Sequence, residues 1–450
     1  MKNSLIKYYK SNTEAAPLAA FRILFGILML ISTIRFWYHG WIEKLYINPI
    51  FHFKYYGFDF IKVPGTYTYL LFIAVAICCV FISLGYMYRI SMTLFFVLFT
   101  YIELMDKTTY LNHYYFVSVL SFLLIFLPAN AYFSLDAKRN PSLSFQYIPR
   151  WTGDSIKFLL FIVYFYAGLA KLNKDWLLEA LPLKIWLPSK FSVPILGDYM
   201  HYEWVHYLFS WSGAIYDLTI VFFLIYKRTR PYAFILVVIF HVLTRVLFDI
   251  GMFPYIMIMA TLIFFDATIH KKILKYISVI IGTKVSLFDN QRTFKFSKPV
   301  IEKITVGIIC LFMLFQIIFP FRHLSYPGNL YWTEQGYRFS WRVMLMEKTG
   351  YAQFKIVDSK TGKRFYVDNR DFLSSFQEKQ MSTQADFILE YGQYLGNHFT
   401  SQGHENIQVF VESFVSLNGR GSTEFINPET DLMSLNVNLK HKTWILPLDE

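Results

Sequence analysis

Nine apolar stretches of roughly membrane-spanning length follow one another between residues 16 and 320 of this chain. A helix needs about 20 mostly apolar residues to cross the hydrocarbon core of a bilayer, and roughly 17–25 are tolerated. The chain is therefore constrained to fold as a multi-span membrane domain. The predicted spans are residues 16–36, 67–85, 90–105, 113–131, 156–173, 206–226, 232–248, 252–267 and 301–320.

The remainder of the chain reads as a soluble α+β domain. Tyr351–Val357 and Lys363–Val367 flank a polar turn and predict a β-hairpin. Apolar residues at helical spacing predict a helix over Ser382–Leu395, and Ile407–Leu417 is predicted to be a strand. The predicted fold class is thus an α-helical polytopic membrane domain of about nine transmembrane helices followed by a small α+β extracytoplasmic domain. We place the membrane domain at residues 1–320, with the active site, and the second domain at residues 321–450.

Composition excludes several other classes of protein. Only 16% of the residues are charged, against about 25% in an average soluble domain. Disordered chains, collagen-like fibres and disulfide scaffolds do not have this composition.

The three cysteines, Cys78, Cys79 and Cys310, lie in predicted spans as small apolar residues. Cysteine and histidine spacings fit no metal-binding motif, so we predict no metal site.

The distribution of basic residues predicts the orientation in the membrane. Lys2, Lys7 and Lys10 precede the first span, which we keep as a span because no signal-peptide cleavage site follows it. With the N-terminus in the cytoplasm, Lys and Arg concentrate in the cytoplasmic segments, which is the usual bias. Nine spans then place the C-terminal domain outside. The net charge of +12 is explained as a sorting signal, and no nucleic-acid partner is expected.

Ionisable groups within spans cost several kcal/mol unless they are paired or hydrated, so each is a candidate functional residue. His113 opens the fourth predicted span and Lys171 lies near the end of the fifth. From the residues alone, His113 is better explained as an interfacial hydrogen-bonding residue than as a catalytic one, whereas Lys171 is explained equally well as a lysine that reaches the membrane surface. A partly desolvated lysine, however, has a lowered pKa and becomes a possible general base.

A third candidate lies in the seventh span, where His241, Arg245 and Asp249 follow at intervals of four residues. This spacing puts them on one helical face, either as a structural ion pair around Arg245 or as part of a functional site. The predicted topology brings His113, Lys171 and this stripe to the same membrane surface, beneath the outer domain.

At these residues the chain resembles the vitamin K-dependent γ-glutamyl carboxylases, their bacterial homologues and the wider horizontally transferred transmembrane domain family. The match runs in order along nearly the whole chain. The resembling stretches are Leu18–Gly26, Gly85–Ser91, Asp106–Tyr114, Ile162–Trp176, Phe240–Tyr255, Gly336–Met344, Val415–Asn418, Phe425–Pro428, Asp431 and Thr443–Leu448.

The resemblance implies roles for individual residues. Lys171 matches the base that activates the quinol, and His113 matches the residue that assists the carbanion or carboxylation step. The segment Tyr337–Met344 matches the region of glutamate recognition. The resulting assignments are Lys171 and His113 as catalytic residues; His241, Asn112 and Tyr166 in the quinone pocket; and Tyr337, Ser340, Trp341 and Met344 in glutamate binding.

The implied cofactor is reduced vitamin K, as the phylloquinone or menaquinone hydroquinone, with O2 and CO2 as co-substrates. The implied partners are a glutamate-containing peptide or protein and the lipid bilayer. The chain departs from the animal enzymes at Ala170, where they have a lysine beside the one matched by Lys171. It also lacks their long C-terminal extension. We therefore do not expect it to recognise a propeptide, and we expect a protein of the bacterial inner membrane.

Three other functions are considered. A quinol-dependent oxidase or epoxidase would keep the fold without peptide carboxylation. A small-solute transporter would use His241, Arg245 and Asp249 as a coupling path, but we find no related halves of the kind common in transporters. A membrane anchor for the outer domain would leave the convergent polar residues without a role.

Overall fold

In the computed structural model, which describes residues 2–448, all nine predicted spans contain a helix. Seven helices are long and apolar enough to cross a membrane, and two are shorter apolar helices. This arrangement confirms the predicted polytopic membrane domain. The helices are α1 Ala16–Tyr38, α2 Thr68–Leu84, α3 Tyr88–Met105, α4 Asn112–Phe126, α5 Arg150–Ala170, α6 Glu203–Ile225, α7 Arg230–Leu247, α8 Phe253–Thr261, α9 Ala267–Ile281 and α10 Pro299–Ile318.

The two shorter helices, α4 and α8, end earlier than the sequence predicts. Helix α4 ends at Phe126, and Leu127 is extended with ψ of 143° because Pro128 follows it. Proline disfavours the helical conformation of the residue before it. Helix α8 continues only as a 3-10 turn to Phe264.

Helix α9 was not predicted as a separate element. Its residue Leu274 is buried, while Lys272 and Lys275 are exposed, so the helix is amphipathic and packs against α1. Lys271 on the same helix forms ion pairs with Glu14 at 2.5 Å and with Asp289 at 3.3 Å. Many of the basic residues that we predict to be cytoplasmic therefore meet at one end of the helical domain.

A four-stranded sheet lies beyond the opposite end of the membrane helices. Its strands are antiparallel in the order β4-β3-β5-β6, and β1 with β2 forms a separate small sheet at the other end of the molecule. The predicted hairpin corresponds to β3 and β4, and the predicted strand Ile407–Leu417 to β5. The strands are β1 Asn12–Glu14, β2 Tyr147–Pro149, β3 Lys348–Asp358, β4 Arg364–Tyr366, β5 Ile407–Leu417 and β6 Thr423–Glu424.

Two further helices, α11 Ser375–Met381 and α12 Ala385–Ser401, pack against the sheet. Helix α12 begins three residues later than predicted. We refer to residues 348–448 as the sheet domain. Its core consists of alternate residues of β3 and β5, such as Phe354 and Val411, together with the buried face of α12. The small α+β domain is thus confirmed, while its predicted boundary at residue 320 stays a prediction.

The sheet domain is held against the membrane domain by buried charges. Lys107, which follows α3, pairs with Asp386 and with Glu390 of α12, both at 3.0 Å. Arg338 pairs with the same Asp386 at 2.7 Å. Burial raises the pKa of Asp386, but the charges of Arg338 and Lys107 outweigh it and hold that pKa well below its usual range. Phe53, from the loop after α1, completes the contact within the sheet-domain core.

Candidate active site

Lys171 lies directly after α5 and is buried in the membrane domain. Its Nζ contacts Asp217 Oδ2 of α6 at 2.6 Å and donates to the Ala167 carbonyl at 3.2 Å. Each of the two charged side chains is 8% exposed. Burying two charges is costly, and removing either partner leaves an uncompensated charge. Each of these two buried side chains therefore needs the other to balance its charge within the membrane domain.

Gly168 brings α5 and α6 close enough for this pair to form. A Cβ atom at Gly168 would lie 2.8 Å from the backbone nitrogen of Leu218 and 2.7 Å from its Cγ. Leu218 directly follows Asp217 in the sequence, so the point of closest helix approach lies beside the ion pair. A side chain at position 168 would push the two helices apart.

Hydrogen bonds from the sheet domain and from the segment that precedes it fix the turn after α5. The Tyr331 hydroxyl donates to the Ala170 carbonyl at 2.9 Å, and the Asn173 side chain caps the following short helix, Lys174–Glu179. Trp176 of that helix puts its ring 5.3 Å from Lys171 Nζ, a cation–π distance. Asp175 is held by Arg420 and Asn418 of the sheet domain, at 2.7 Å each. The sheet domain thus fixes the loop that carries Lys171.

Lys171 and Asp217 line a largely apolar cavity of about 790 Å³, a volume that includes its open mouth. Ligand pockets for small molecules mostly have apolar walls with a few polar groups. Six Trp and Phe rings from α6, α7, α8 and the neighbouring segments contribute to the lining. These rings belong to Trp176, Trp186, Phe209, Phe240, Phe248 and Phe253.

His241 lines the same cavity from α7. Its Nε2 is 2.9 Å from the Tyr164 hydroxyl, and its Nδ1 has no hydrogen-bond partner among the described residues. The predicted stripe with Arg245 and Asp249 is wrong as a single helical face. Helix α7 ends at Leu247 and Phe248 is extended, so Asp249 lies outside the helix. Arg245 and Asp249 form only an exposed contact at 3.9 Å, apart from His241.

His113 is buried at the start of α4, outside the lining of the Lys171 cavity. The Phe253 ring is in contact with both histidines, with its centroid 6.1 Å from the His113 ring and 5.7 Å from the His241 ring. Gly251 also faces His113, and a Cβ atom there would lie 3.7 Å from His113 Nε2. His113 therefore lies next to the cavity wall, but its ring is not part of the lining around Lys171.

The segment predicted to bind glutamate forms a loop between the two domains. Phe339, Trp341 and Met344 all have φ between 53° and 59°, which is uncommon for residues with a side chain. Met344 lines the Lys171 cavity together with Val343. The loop therefore forms the wall of the cavity that faces the sheet domain.

The other predicted glutamate-binding residues are covered in this structure. Trp341 and Ser340 are 1% and 2% exposed, and the Ser340 hydroxyl donates to the Gly336 carbonyl at 2.8 Å. Tyr337 is partly buried, and its ring packs edge-on to Tyr331 with the centroids 6.3 Å apart. These three residues shape the loop, whereas Met344 reaches the cavity.

Two residues that we assign to the quinone pocket, Asn112 and Tyr166, do not line the Lys171 cavity. Asn112 donates from Nδ2 to the Arg342 carbonyl at 2.7 Å and so supports the loop. The Tyr166 hydroxyl donates to the Ile317 carbonyl of α10 at 2.5 Å, and its ring packs on Phe321. Tyr164 lines the cavity, and Tyr166 follows it by two residues on the same helix. The Tyr166 side chain therefore points to a different side of α5.

Sequence reasoning missed Asp217 and Tyr164. Asp217 is an ionisable residue inside an apolar span, a signal that is visible in the sequence and that marks functional candidates by default. Tyr164 has no comparable signal, because tyrosine is frequent throughout this chain. Its partnership with His241 depends on how α5 and α7 pack.

Comparison with known protein families gives two matches along the chain. The HTTM domain model matches residues 10–268. The model of the vitamin K-dependent gamma-carboxylase lumenal domain matches residues 301–450. No solved structure matches the chain. The two family matches follow each other in the same order as the membrane helices and the sheet domain.

Replacing Gly168 with valine should separate α5 from α6 and destabilise the protein. Overpacking of a tight contact costs about 1–3 kcal/mol, and loss of the buried ion pair adds to it. Thermal unfolding of the detergent-purified protein measures the effect as a lower melting temperature. Gly153→Val is the matched control, since Gly153 lies on the same helix and a Cβ atom there would meet no described atom within 4 Å. Equal melting temperatures for the two variants would contradict the close helix contact.

Proposed function

Because the chain belongs to the vitamin K-dependent γ-carboxylase family, we propose that it is a γ-glutamyl carboxylase-like enzyme. In the proposed reaction, oxygenation of reduced vitamin K to its epoxide is coupled to carboxylation of a peptide glutamate to γ-carboxyglutamate. The observation that carries the proposal is the Lys171–Asp217 pair, with its 2.6 Å contact, at the wall of an apolar cavity. Activation of a lipid-soluble quinol requires a proton acceptor in such a dry pocket.

The residues of the cavity fit a quinol. Its aromatic lining suits a flat ring system with an apolar tail. The buried Nδ1 of His241 has no hydrogen-bond partner among residues 2–448, so a polar ligand atom would satisfy it. Lys171 and His241 would bind polar atoms of the quinol, and Trp176 and Phe253 would contribute apolar contacts from the same cavity lining. Reduced vitamin K, when bound and oxygenated, supplies the strong base that removal of a glutamate γ-hydrogen requires.

The proposed role of Lys171 depends on Asp217. As an ion pair, Lys171 carries the proton and cannot accept another. Transfer of that proton to Asp217 Oδ2, across 2.6 Å, leaves a neutral amine that faces the cavity and can accept the quinol proton. The pair then holds one additional proton in total. Lys171 acts as the base that meets the substrate, and Asp217 receives the proton that Lys171 must first lose.

The loop of residues 336–344 is proposed to meet the glutamate side chain. Val343 and Met344 separate the cavity from the sheet-domain side, where a peptide would approach. His113 packs against Phe253, whose ring lines the cavity, and remains the candidate for assisting carboxylation. We further propose that the sheet domain faces the outside and the N-terminus the cytoplasm, as the distribution of basic residues predicts.

The direct test supplies reduced vitamin K, labelled bicarbonate and a short glutamate-containing peptide to the purified protein in lipid nanodiscs. We expect label in the peptide and formation of the epoxide, and we expect Lys171→Ala to lower both by about 10²–10⁴-fold, as for loss of a general base. Lys174→Ala is the control, because this nearby lysine is exposed and lies outside the cavity lining. Epoxide without carbon fixation would support a quinol oxidase instead. If neither product forms, the result contradicts the proposal and favours a transporter or a membrane anchor.

Asp217→Asn should slow epoxide formation by about 10²-fold or more, since asparagine cannot accept the proton of Lys171. The ratio of fixed carbon to epoxide should stay unchanged, because the change affects quinol activation alone. Asp217→Glu keeps the carboxylate and should restore part of the rate. A normal rate in Asp217→Asn, in protein that melts as the wild type does, would remove Asp217 from the proton path.

His113→Ala should impair carbon fixation while epoxide formation continues. The expected signature is a fall in the ratio of fixed carbon to epoxide, since the cavity with Lys171 is left intact. His201→Ala is a suitable control because His201 is an exposed histidine, distant in sequence from His113. An unchanged ratio in His113→Ala would rule out a role of His113 in carboxylation.

A further inference from the structure

A groove with both charged and aromatic walls lies at the end of the membrane domain opposite the sheet domain. It has a volume of about 750 Å³ and is formed by the start of α5, the end of α6 and the start of α7. All three helices are among those long and apolar enough to cross a membrane. The basic groove, as we call it, is lined by Arg150, Asp154, Lys157, Phe158, Phe161 and Arg230 among others.

The charges of the basic groove do not cancel. Asp154 is the one carboxylate among the described residues of its lining and is shared by Arg150 at 3.3 Å and Lys157 at 3.0 Å. Arg230 and the neighbouring Lys227 both pair with Asp266, at 3.2 and 3.1 Å. The lining itself holds three cations, Arg150, Lys157 and Arg230, against the single carboxylate of Asp154, and the Arg230 side chain is only 13% exposed. Such an excess attracts an anion to the groove.

The other wall of the groove is apolar and continues toward the membrane interior. Phe158, Phe161 and Phe165 stack along α5, with ring centroids 6.0 Å and 5.1 Å apart. Phe158 and Ile225 are 40% and 56% exposed, so their side chains are accessible to the apolar part of a ligand. A ligand that satisfies both walls has an anionic head and an extended apolar tail.

We propose that the basic groove binds the headgroup of an anionic glycerophospholipid. Its phosphate lies among Arg150, Lys157 and Arg230, and one acyl chain follows the rings of Phe158 and Phe161. Basic pockets between transmembrane helices bind such headgroups at the cytoplasmic surface, which is where the predicted orientation places this end. An inorganic phosphate would satisfy the cations alone, and a neutral phospholipid only the apolar wall.

The test is a native mass spectrometry titration of the full chain with phosphatidylglycerol. Separate arms use phosphatidylcholine and inorganic phosphate. We expect phosphatidylglycerol to bind most tightly and Lys157→Gln to weaken it about fivefold, which corresponds to the roughly 1 kcal/mol per cation seen near anionic membranes. Lys275→Gln removes the same charge from the exposed face of α9, outside the groove lining, and should leave the affinity unchanged.

Asp154→Asn provides an independent check, because it removes the carboxylate of the groove and should strengthen binding of phosphatidylglycerol. Weaker or unchanged binding in this variant would overturn the electrostatic basis of the proposal. An equal loss in Lys157→Gln and Lys275→Gln would show general surface attraction and overturn the site. Inorganic phosphate that binds as well as the lipid, with the same dependence on Lys157, would show a phosphate site and overturn the lipid proposal.

Discussion

The buried contact between Lys171 and Asp217 is the interaction on which the candidate site depends. Two charges persist in an apolar interior only when they are close and held in place. That requirement accounts for Gly168 at the crossing of α5 and α6, since Leu218 leaves no space for a side chain there. It also accounts for the hydrogen bonds that fix the turn after α5. The apolar cavity then forms around the pair, with its aromatic walls contributed by the next helices.

The sheet domain contributes to the site through contacts between the two domains. Lys107 and Arg338 meet at Asp386, which joins the end of α3, the loop of residues 336–344 and α12 in one buried cluster. Asp175, close to Lys171 in sequence, is bound by Arg420 in the same way. Both contacts set the position of a segment that lines the Lys171 cavity or supports it. The family match across both domains is consistent with a site that needs both.

Much of the fold follows from local patterns in the sequence, while the details of the site depend on packing. Apolar length predicts all nine helical segments, and alternation with a polar turn predicts the β3–β4 hairpin, because both patterns are set by neighbouring residues. The face of Tyr166 and the partnership of Tyr164 with His241 depend on helix rotation, which no local pattern fixes. The stripe of His241, Arg245 and Asp249 fails because α7 ends at Leu247. Asp217 was predictable, since it is a charge inside a span.

The short distance within the Lys171–Asp217 pair has an electrical consequence. A full charge that crosses the membrane gains about 2.3 kcal/mol per 100 mV. A proton that moves between Nζ and Oδ2 travels at most 2.6 Å, roughly a tenth of a hydrocarbon core that is about 30 Å thick. The membrane voltage can then change this step by only about 0.2 kcal/mol per 100 mV. A proton shift between these two side chains is therefore almost independent of the energisation of the membrane.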